Sequence, residues 1–267
     1  MKVVFSAVAA LLCLNACSLK EAPESHYMVL EAGINDSRTV LDDITKVLWQ
    51  DTDEICVNGQ KSTSVTLSED CSLAQFTLPL LDPPFEAIYP ASAWVEGKAV
   101  LPEQQRYVPQ SFDPRAALML SYSASGNSMF FSHASSYLKI SVANAGGAAI
   151  KRIEVHSIGD EDMAGSFGAD FQNSCLVRES ASGKYVTLLP REGESTLPFG
   201  EPLYIAVAPG TYASGIRVRI VDEEYHYADI SSYKSFTAEA GRVYRTSMDF
   251  TPTGTVIDSE MPEIAPP

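Results

Sequence analysis

Five cysteines punctuate the 267-residue chain, at 13, 17, 56, 71 and 175, and their surroundings separate different kinds of sulfur chemistry. Cys17 closes the run Leu14-Asn15-Ala16-Cys17, behind Lys2 and an almost wholly apolar stretch from Val3 to Leu14. One positive charge, an apolar run and a small residue before the cut form the layout of an export signal, and the run is shorter than the roughly 20 residues that span a bilayer. The Cys17 thiol is therefore the candidate lipid acceptor, with residues 1–16 as the signal peptide and Cys17 as the mature N-terminus. An ordinary cleaved signal with an incidental cysteine is the alternative. Acyl chains contribute about 0.8 kcal/mol per buried CH₂, so two or more chains hold a protein on an outer membrane where one would not. Cys13 leaves with the signal. Cys56 and Cys71 flank an apparent hairpin at Asn58-Gly59 and would be bridged if their strands are neighbours. Cys175 is then left as a buried thiol.

The other side chains capable of chemistry do not assemble into a known centre. His26, His133, His156 and His226 lie in no HExxH pair, and no CxxC suggests zinc. No GxSxG elbow, P-loop or GxGxxG fingerprint appears. Asp160-Glu161-Asp162-Met163-Ala164-Gly165 begins like a calcium loop, but Ala164 and Phe171 stand where ligands five and twelve belong, so a solvated acidic turn is the better reading. Tyr225 and Tyr227 would share one face of a strand, as a core edge or as an aromatic platform for a sugar. The expectation is a protein that is not an enzyme, with no metal and no cofactor.

Charge and composition narrow the partners. Export of residues 1–16 removes Lys2 and takes the formal net charge from −15 to −16. Such a chain is repelled by a phosphate backbone, so nucleic acid is excluded as a partner, and an acidic-ligand site is disfavoured. At 45% hydrophobic, and with about 250 mature residues, the chain can fill two cores of ordinary domain size. No second apolar stretch reaches membrane-spanning length, which leaves the lipid as the visible anchor.

The elements that must position these residues are strands. Ile150-Lys-Arg-Ile153-Glu-Val155-His, Leu138-Lys-Ile140-Ser-Val142 and Ile216-Arg-Val218-Arg-Ile220 alternate apolar and polar side chains, the period of antiparallel sheets with one wet face. Further strands are expected at 27–32, 46–49, 54–57, 64–67, 73–78, 86–89, 185–189, 203–208 and 242–250. They are separated by Asn58-Gly59, Asp82-Pro83-Pro84, Gly146-Gly147, Gly193 and Pro209-Gly210. The pattern is all-β and points to β-sandwiches. Residues 17–26 read as the lipidated tether. Residues 27–128 form the N-terminal sandwich and 129–251 the C-terminal one, joined through Pro102 to Pro114. Residues 252–267, with four prolines, are a flexible tail or a docking segment for another subunit.

An ordered series of short motifs runs through the chain. Ser37-Arg38-Thr39 is followed by Val47-Leu48-Trp49-Gln50 and Asp53-Glu54-Ile55-Cys56-Val57. Ala87-Ile88-Tyr89-Pro90-Ala91-Ser92, Gln105-Arg106-Tyr107 and Phe112-Asp113-Pro114 come next, and Tyr204-Ile205-Ala206-Val207 and Gly241-Arg242-Val243-Tyr244 continue it. The series resembles the fimbrillin family of Bacteroidales surface lipoproteins, although Thr52 stands where many members have glycine. That resemblance implies two tandem transthyretin-like antiparallel β-sandwich domains. It also implies partnership with other fimbrial subunits by strand exchange, in which a protease cuts after an arginine and a neighbour's strand replaces the one released. Arg38, with Thr39 behind it, is the matching cut site; the alternative is an uncut anchor, tip or accessory subunit with Arg38 as a loop charge. The rival reading of the whole chain is a monomeric surface lipoprotein that binds a glycan or a host protein.

Overall fold

The computed structural model describes residues 26–35, 48–179 and 183–256. The signal peptide, Cys17, Arg38 and Thr39 lie outside these residues, so the structure leaves them as sequence-based expectations.

Up to residue 106 the chain forms β1 (Tyr27–Ile34), β2 (Cys56–Val57), β3 (Gln60–Lys61), β4 (Ser64–Leu67), β5 (Leu73–Pro79), β6 (Phe85–Tyr89), β7 (Trp94–Val95), β8 (Lys98–Leu101) and β9 (Gln104–Arg106). The middle holds β10 (Met119–Ser123), β11 (Ser128–His133), β12 (Ser136–Asn144), β13 (Ile150–Ser157), β14 (Gly165–Asp170), β15 (Cys175–Val177) and β16 (Tyr185–Leu189). The remainder holds β17 (Leu203–Val207), β18 (Gly210–Tyr212), β19 (Ile216–Asp222), β20 (His226–Ser232), β21 (Phe236–Ala238), β22 (Val243–Asp249) and β23 (Gly254–Thr255). Two short 3₁₀ turns, at Ala91–Ala93 and Pro114–Ala116, are the helical segments among the described residues. The chain is all-β, as its period-two pattern requires.

The first half builds an eight-stranded sheet in the order β3-β2-β6-β10-β11-β1-β5-β4. The second half builds a six-stranded sheet, β23-β20-β19-β13-β16-β9, and a three-stranded sheet, β17-β12-β22. The segment expected to carry the chain across, Pro102 to Pro114, does so only temporarily. It carries β9, which runs parallel to β16, and β8 just before it pairs with β14. The chain then returns to the first sheet through β10 and β11, and the lasting change of sheet comes between His133 and Ser136. What fixes β9 there is Gln105, fully buried, whose amide donates to the Ala206 carbonyl at 2.7 Å and accepts from the Ala206 N–H at 2.8 Å. A buried amide must find partners, and the backbone of β17 supplies both at once.

Two expectations need correction. The sheets are not purely antiparallel, because β1 runs parallel to β11, β12 to β22 and β9 to β16. A parallel neighbour requires a long crossover, which here is most of each half of the chain. The polar face of the six-stranded sheet is also not uniformly wet: Thr187, Arg152 and Glu154 are 1%, 4% and 7% exposed. The register sets Gln104, Thr187, Glu154, Arg219 and Asp229 in one row across five strands. Arg152 Nε donates to Glu154 at 2.6 Å, His156 Nε2 lies 3.0 Å from its other oxygen, and Arg219 pairs with Asp229 at 2.8 Å. Opposite charges alternate along the row, so each screens its neighbour and the middle can close. Burial alone would raise the Glu154 carboxyl, but the hydrogen bonds from His156 and Arg152 prevail and hold it at about 2.

The expected tail starts later than Pro252. Gly254–Thr255 pairs with β20, Thr253 N–H donates to the Tyr227 carbonyl, and Val256 is buried. Residues 257–267 lie outside the described residues.

Candidate functional site

β1 occupies the place on which strand exchange would act. Its side chains alternate. Leu30 and Ala32 are fully buried, with Met28 and Ile34 partly buried on the same side, whereas Tyr27 and Val29 face out. On one side β1 pairs antiparallel with β5, from Tyr27↔Pro79 to Gly33↔Leu73; on the other it pairs parallel with β11, from Glu31↔Ser128 to Ile34↔Phe131. Glu31 N–H donates to the Asn127 carbonyl at 2.7 Å and Asn35 N–H to the Phe131 carbonyl at 2.8 Å. From Glu31 onward both backbone edges of the strand are therefore used, and there it sits inside the sheet.

The floor beneath it is aromatic. The Trp49 ring meets Phe76, Phe131 and Tyr89 edge-on, with centroids 5.2, 5.5 and 5.4 Å away. Such pairs add about 0.5–1.5 kcal/mol each beyond the area they bury. Trp49 lies in loop backbone rather than at the end of the strand expected over 46–49, and the following turn holds it. Asp53 accepts from the Gln50 N–H at 2.8 Å and from the Tyr89 hydroxyl at 2.8 Å, while Asp53 N–H donates to the Gln50 carbonyl. Burial raises the Asp53 carboxyl, and those two hydrogen bonds pull it back. The Asp53 of the opening motif thus closes a turn and tethers the ring wall. The Tyr89 phenol is pushed up by burial first and by the Asp53 charge second.

The outer face of the slot carries Phe130, exposed, beside Gly33. A methyl group at Gly33 would stand 3.1 Å from the Phe130 ring and 3.3 Å from Leu73. The ring thus covers bare backbone in the middle of the sheet.

The remaining candidate residues fall as follows. Cys17, Arg38 and Thr39 lie outside the described residues. Cys56 and Cys71 are free thiols, so the candidate bridge is not formed. The Asn58-Gly59 hairpin exists, but Cys56 faces Lys61 across it, and Cys71 sits in the turn before β5 with φ 54°. Cys56 is buried and its thiol raised by that burial; Cys175 is only half-buried, less than expected. Tyr225 does not share a strand face with Tyr227. It adopts the left-handed conformation, φ 65°, in the turn before β20. Lys151 lies over the Tyr225 ring and Arg219 over Tyr227, each 4.2 Å from the centroid, so the two rings form no common platform. No cluster of potential metal ligands occurs among the described residues, and Asp160 pairs with Lys184 in a polar turn. Sequence reasoning missed the part of β11 in the slot and the anchoring role of Gln105. The alternation of Met129 and Phe131 was the signal for the first; nothing local marks the second.

No family model and no curated protein matches the chain. Among solved structures it is similar to a candidate cell adhesion protein from Bacteroides ovatus, at 14% identity over 86% of this chain and 96% of that one, TM-score 0.48. A candidate cell adhesion protein from Bacteroides uniformis gives 15% identity over 85% and 94%, TM-score 0.49. The chain is also similar to the tip fimbrial protein Mfa3 of Porphyromonas gingivalis, with 9% identity over 82% and 93% and a TM-score of 0.32.

Proposed function

We propose that this protein is a fimbrillin-like subunit, lipid-anchored at Cys17 in the outer membrane, that assembles into or attaches surface fibres by β-strand complementation and supports adhesion. One observation carries the reading: β1 is an N-terminal strand paired along one edge with β5 and, from Glu31 onward, along the other with β11, with Leu30 and Ala32 sealed over an aromatic floor. Removing it would bare two rows of backbone donors and acceptors beside an apolar slot, and a strand satisfies both at once. Arg38, a few residues beyond Ile34, is the bond at which release would occur. In this reading residues 27–133 and 136–256 are the two sandwich units of the resemblance, and residues 257–267 are available to a neighbouring subunit.

The test is the N-terminus and gel behaviour of protein recovered from the cell surface. A start at Thr39 together with ladders in unboiled samples is the expected outcome for a shaft subunit. A blocked, acylated Cys17 with the protein still bound to fibres is the outcome for an anchor or accessory subunit. A protein that is monomeric on unboiled gels and never co-purifies with fibres would overturn the assembly reading in favour of a monomeric receptor for a glycan or host protein.

A further inference from the structure

A cleft on the polar face of the six-stranded sheet has no part in strand exchange. Its volume is about 310 Å³, the lower end of the range for small-molecule sites. Its floor comprises Gln104, Arg106, Lys151, Arg152 and Thr187. Three cations in one cleft stand out in a chain with formal net charge −15, whose overall field disfavours acidic ligands.

The backbone explains how they come together. Between Ile150↔Asp222 and Arg152↔Val221 the register of β13 shifts by one residue, and Lys151 is the extra one. A bulge turns two successive side chains toward one face, so Lys151 joins Arg152 where a regular strand would send it to the opposite side. Arg106 arrives from β9, facing Leu189 across the parallel pair with β16. Each cation is steadied by a neighbour: Arg106 donates to the carbonyl of Pro190 in the cleft lining at 3.1 Å, and, outside the lining, Lys151 donates to the Tyr225 hydroxyl at 2.7 Å and Arg152 to Glu154 at 2.6 Å.

A second observation points to a ligand. Thr187 is 1% exposed and lines the cleft, yet its hydroxyl has no hydrogen-bond partner in the protein. A buried hydroxyl left unpaired costs free energy that valine, of the same shape, would not. The rest of the lining describes what would pair with it. Leu189 and Pro190 form an apolar wall, while Glu194, Ser195 and Glu223 stand at the rim with acceptor oxygens. An anion with charge on every side would meet the two rim carboxylates. A ligand with one carboxylate for the cations, hydroxyls for Thr187 and the rim, and an apolar ring face for Leu189 and Pro190 satisfies all of them. We infer that this cleft binds a sugar acid, a uronic or sialic acid residue presented on a glycan. The inference stands apart from the assembly reading, since β1 and its slot belong to another sheet.

The test uses the full mature chain in calorimetric titrations with glucuronate and with N-acetylneuraminate, against glucose, acetate, inorganic phosphate and triglycine. The expected result is saturation by one of the sugar acids, at least about tenfold tighter than by glucose, acetate, phosphate or the peptide. Arg106→Gln is expected to weaken it about tenfold with an unchanged melting temperature. Thr187→Val is expected to weaken it about threefold or more while raising the melting temperature by roughly 2–4 °C, a pairing that a merely structural threonine would not produce. Equal binding of acetate or phosphate would reduce the cleft to a general anion site and overturn sugar recognition. Tighter binding of the peptide carboxylate would overturn it in favour of a peptide, and saturation by none of these would overturn the site itself. Failure here leaves the fibre ladders untouched, so the two readings fall separately.

Discussion

The first strand of each half has the same neighbours and a different fate. β1 lies between an antiparallel partner, β5, and a parallel one, β11; β12 lies between antiparallel β17 and parallel β22. In each half the parallel neighbour, β11 or β22, lies near that half's C-terminal end. The burial differs. Along β12, Ser136, Tyr137, Leu138, Ile140 and Val142 are all buried, whereas β1 leaves Tyr27 58% and Val29 46% exposed. The entry to β12 is also fastened, with Ala134 N–H donating to Leu118, Ser135 Oγ to Ala116 and Gly241 N–H to Ser135. A strand held through both faces and at its entry stays with its sheet; one held through a single face is the one that a competing strand could replace. The same topology thus holds β12 through both faces and β1 mainly through one, the difference on which the proposed exchange rests.

Substitutions separate the two strands. The largest effects should come from the buried aromatic side chains that pack at each of these strands. Trp49→Ala in the first half and Tyr137→Ala in the second, where the ring stacks 4.3 Å from Phe112, should each cost about 3–5 kcal/mol in urea unfolding. A loss under about 1 kcal/mol for either would show that the ring contacts at that strand contribute little to its packing.

Leu30→Ala and Ile140→Ala test exchangeability itself. Both residues are fully buried, and each change should cost about 2–4 kcal/mol in the intact chain. In protein cleaved after Arg38 and freed of β1, the Leu30 change should cost nothing and the Ile140 change its full amount. Equal costs in the cleaved form would mean that β1 stays in place after the cut.

Acid separates the halves by another route. Glu154 is held at about 2 in the fold against an ordinary 4.5, so the unfolded chain binds its proton first as pH falls. The stability it contributes is present above pH 4.5 and lost between about 4.5 and 2, on the order of 3 kcal/mol in all. Asp53, raised by burial, acts with the opposite sign in the first half: stability falls as pH rises through its titration. Glu154→Gln should flatten the acid limb of a stability–pH curve. An unchanged limb would place the acid sensitivity elsewhere.

The smallest effect is expected on the outer face of β1. Gly33→Ala puts a methyl group against the exposed Phe130 ring, which can swing aside, and should change stability by less than about 1 kcal/mol. A larger loss would mean that the ring is fixed over Gly33 and that the outer face of β1 also holds it.

Much of this layout was legible in the residues. Ser64–Leu67 and Tyr185–Leu189 form strands at the bounds that alternation assigns them, and β1 extends its expected span by two residues to Ile34. Period two states which side chains share a face, but not which strand lies alongside. The parallel neighbours were invisible for that reason, since Ser128–Phe131 and Val243–Asp249 owe their positions to contacts about a hundred residues distant. Tyr225 failed by one dihedral angle, because a left-handed residue ends the alternation that would have aligned it with Tyr227. Thr187 and Lys151 read as ordinary solvent-side residues. Only the bulge and the closed charge row bring them into the floor of a cleft.

Gln105 has a mechanical consequence. Its two opposed bonds to one residue of β17 tie the six-stranded sheet to the three-stranded one. Apolar layers alone resist shear weakly, because greasy surfaces can slip past each other. Here slippage of either layer must rupture a donor and an acceptor in the same instant, so a pull applied along the strands meets a latch.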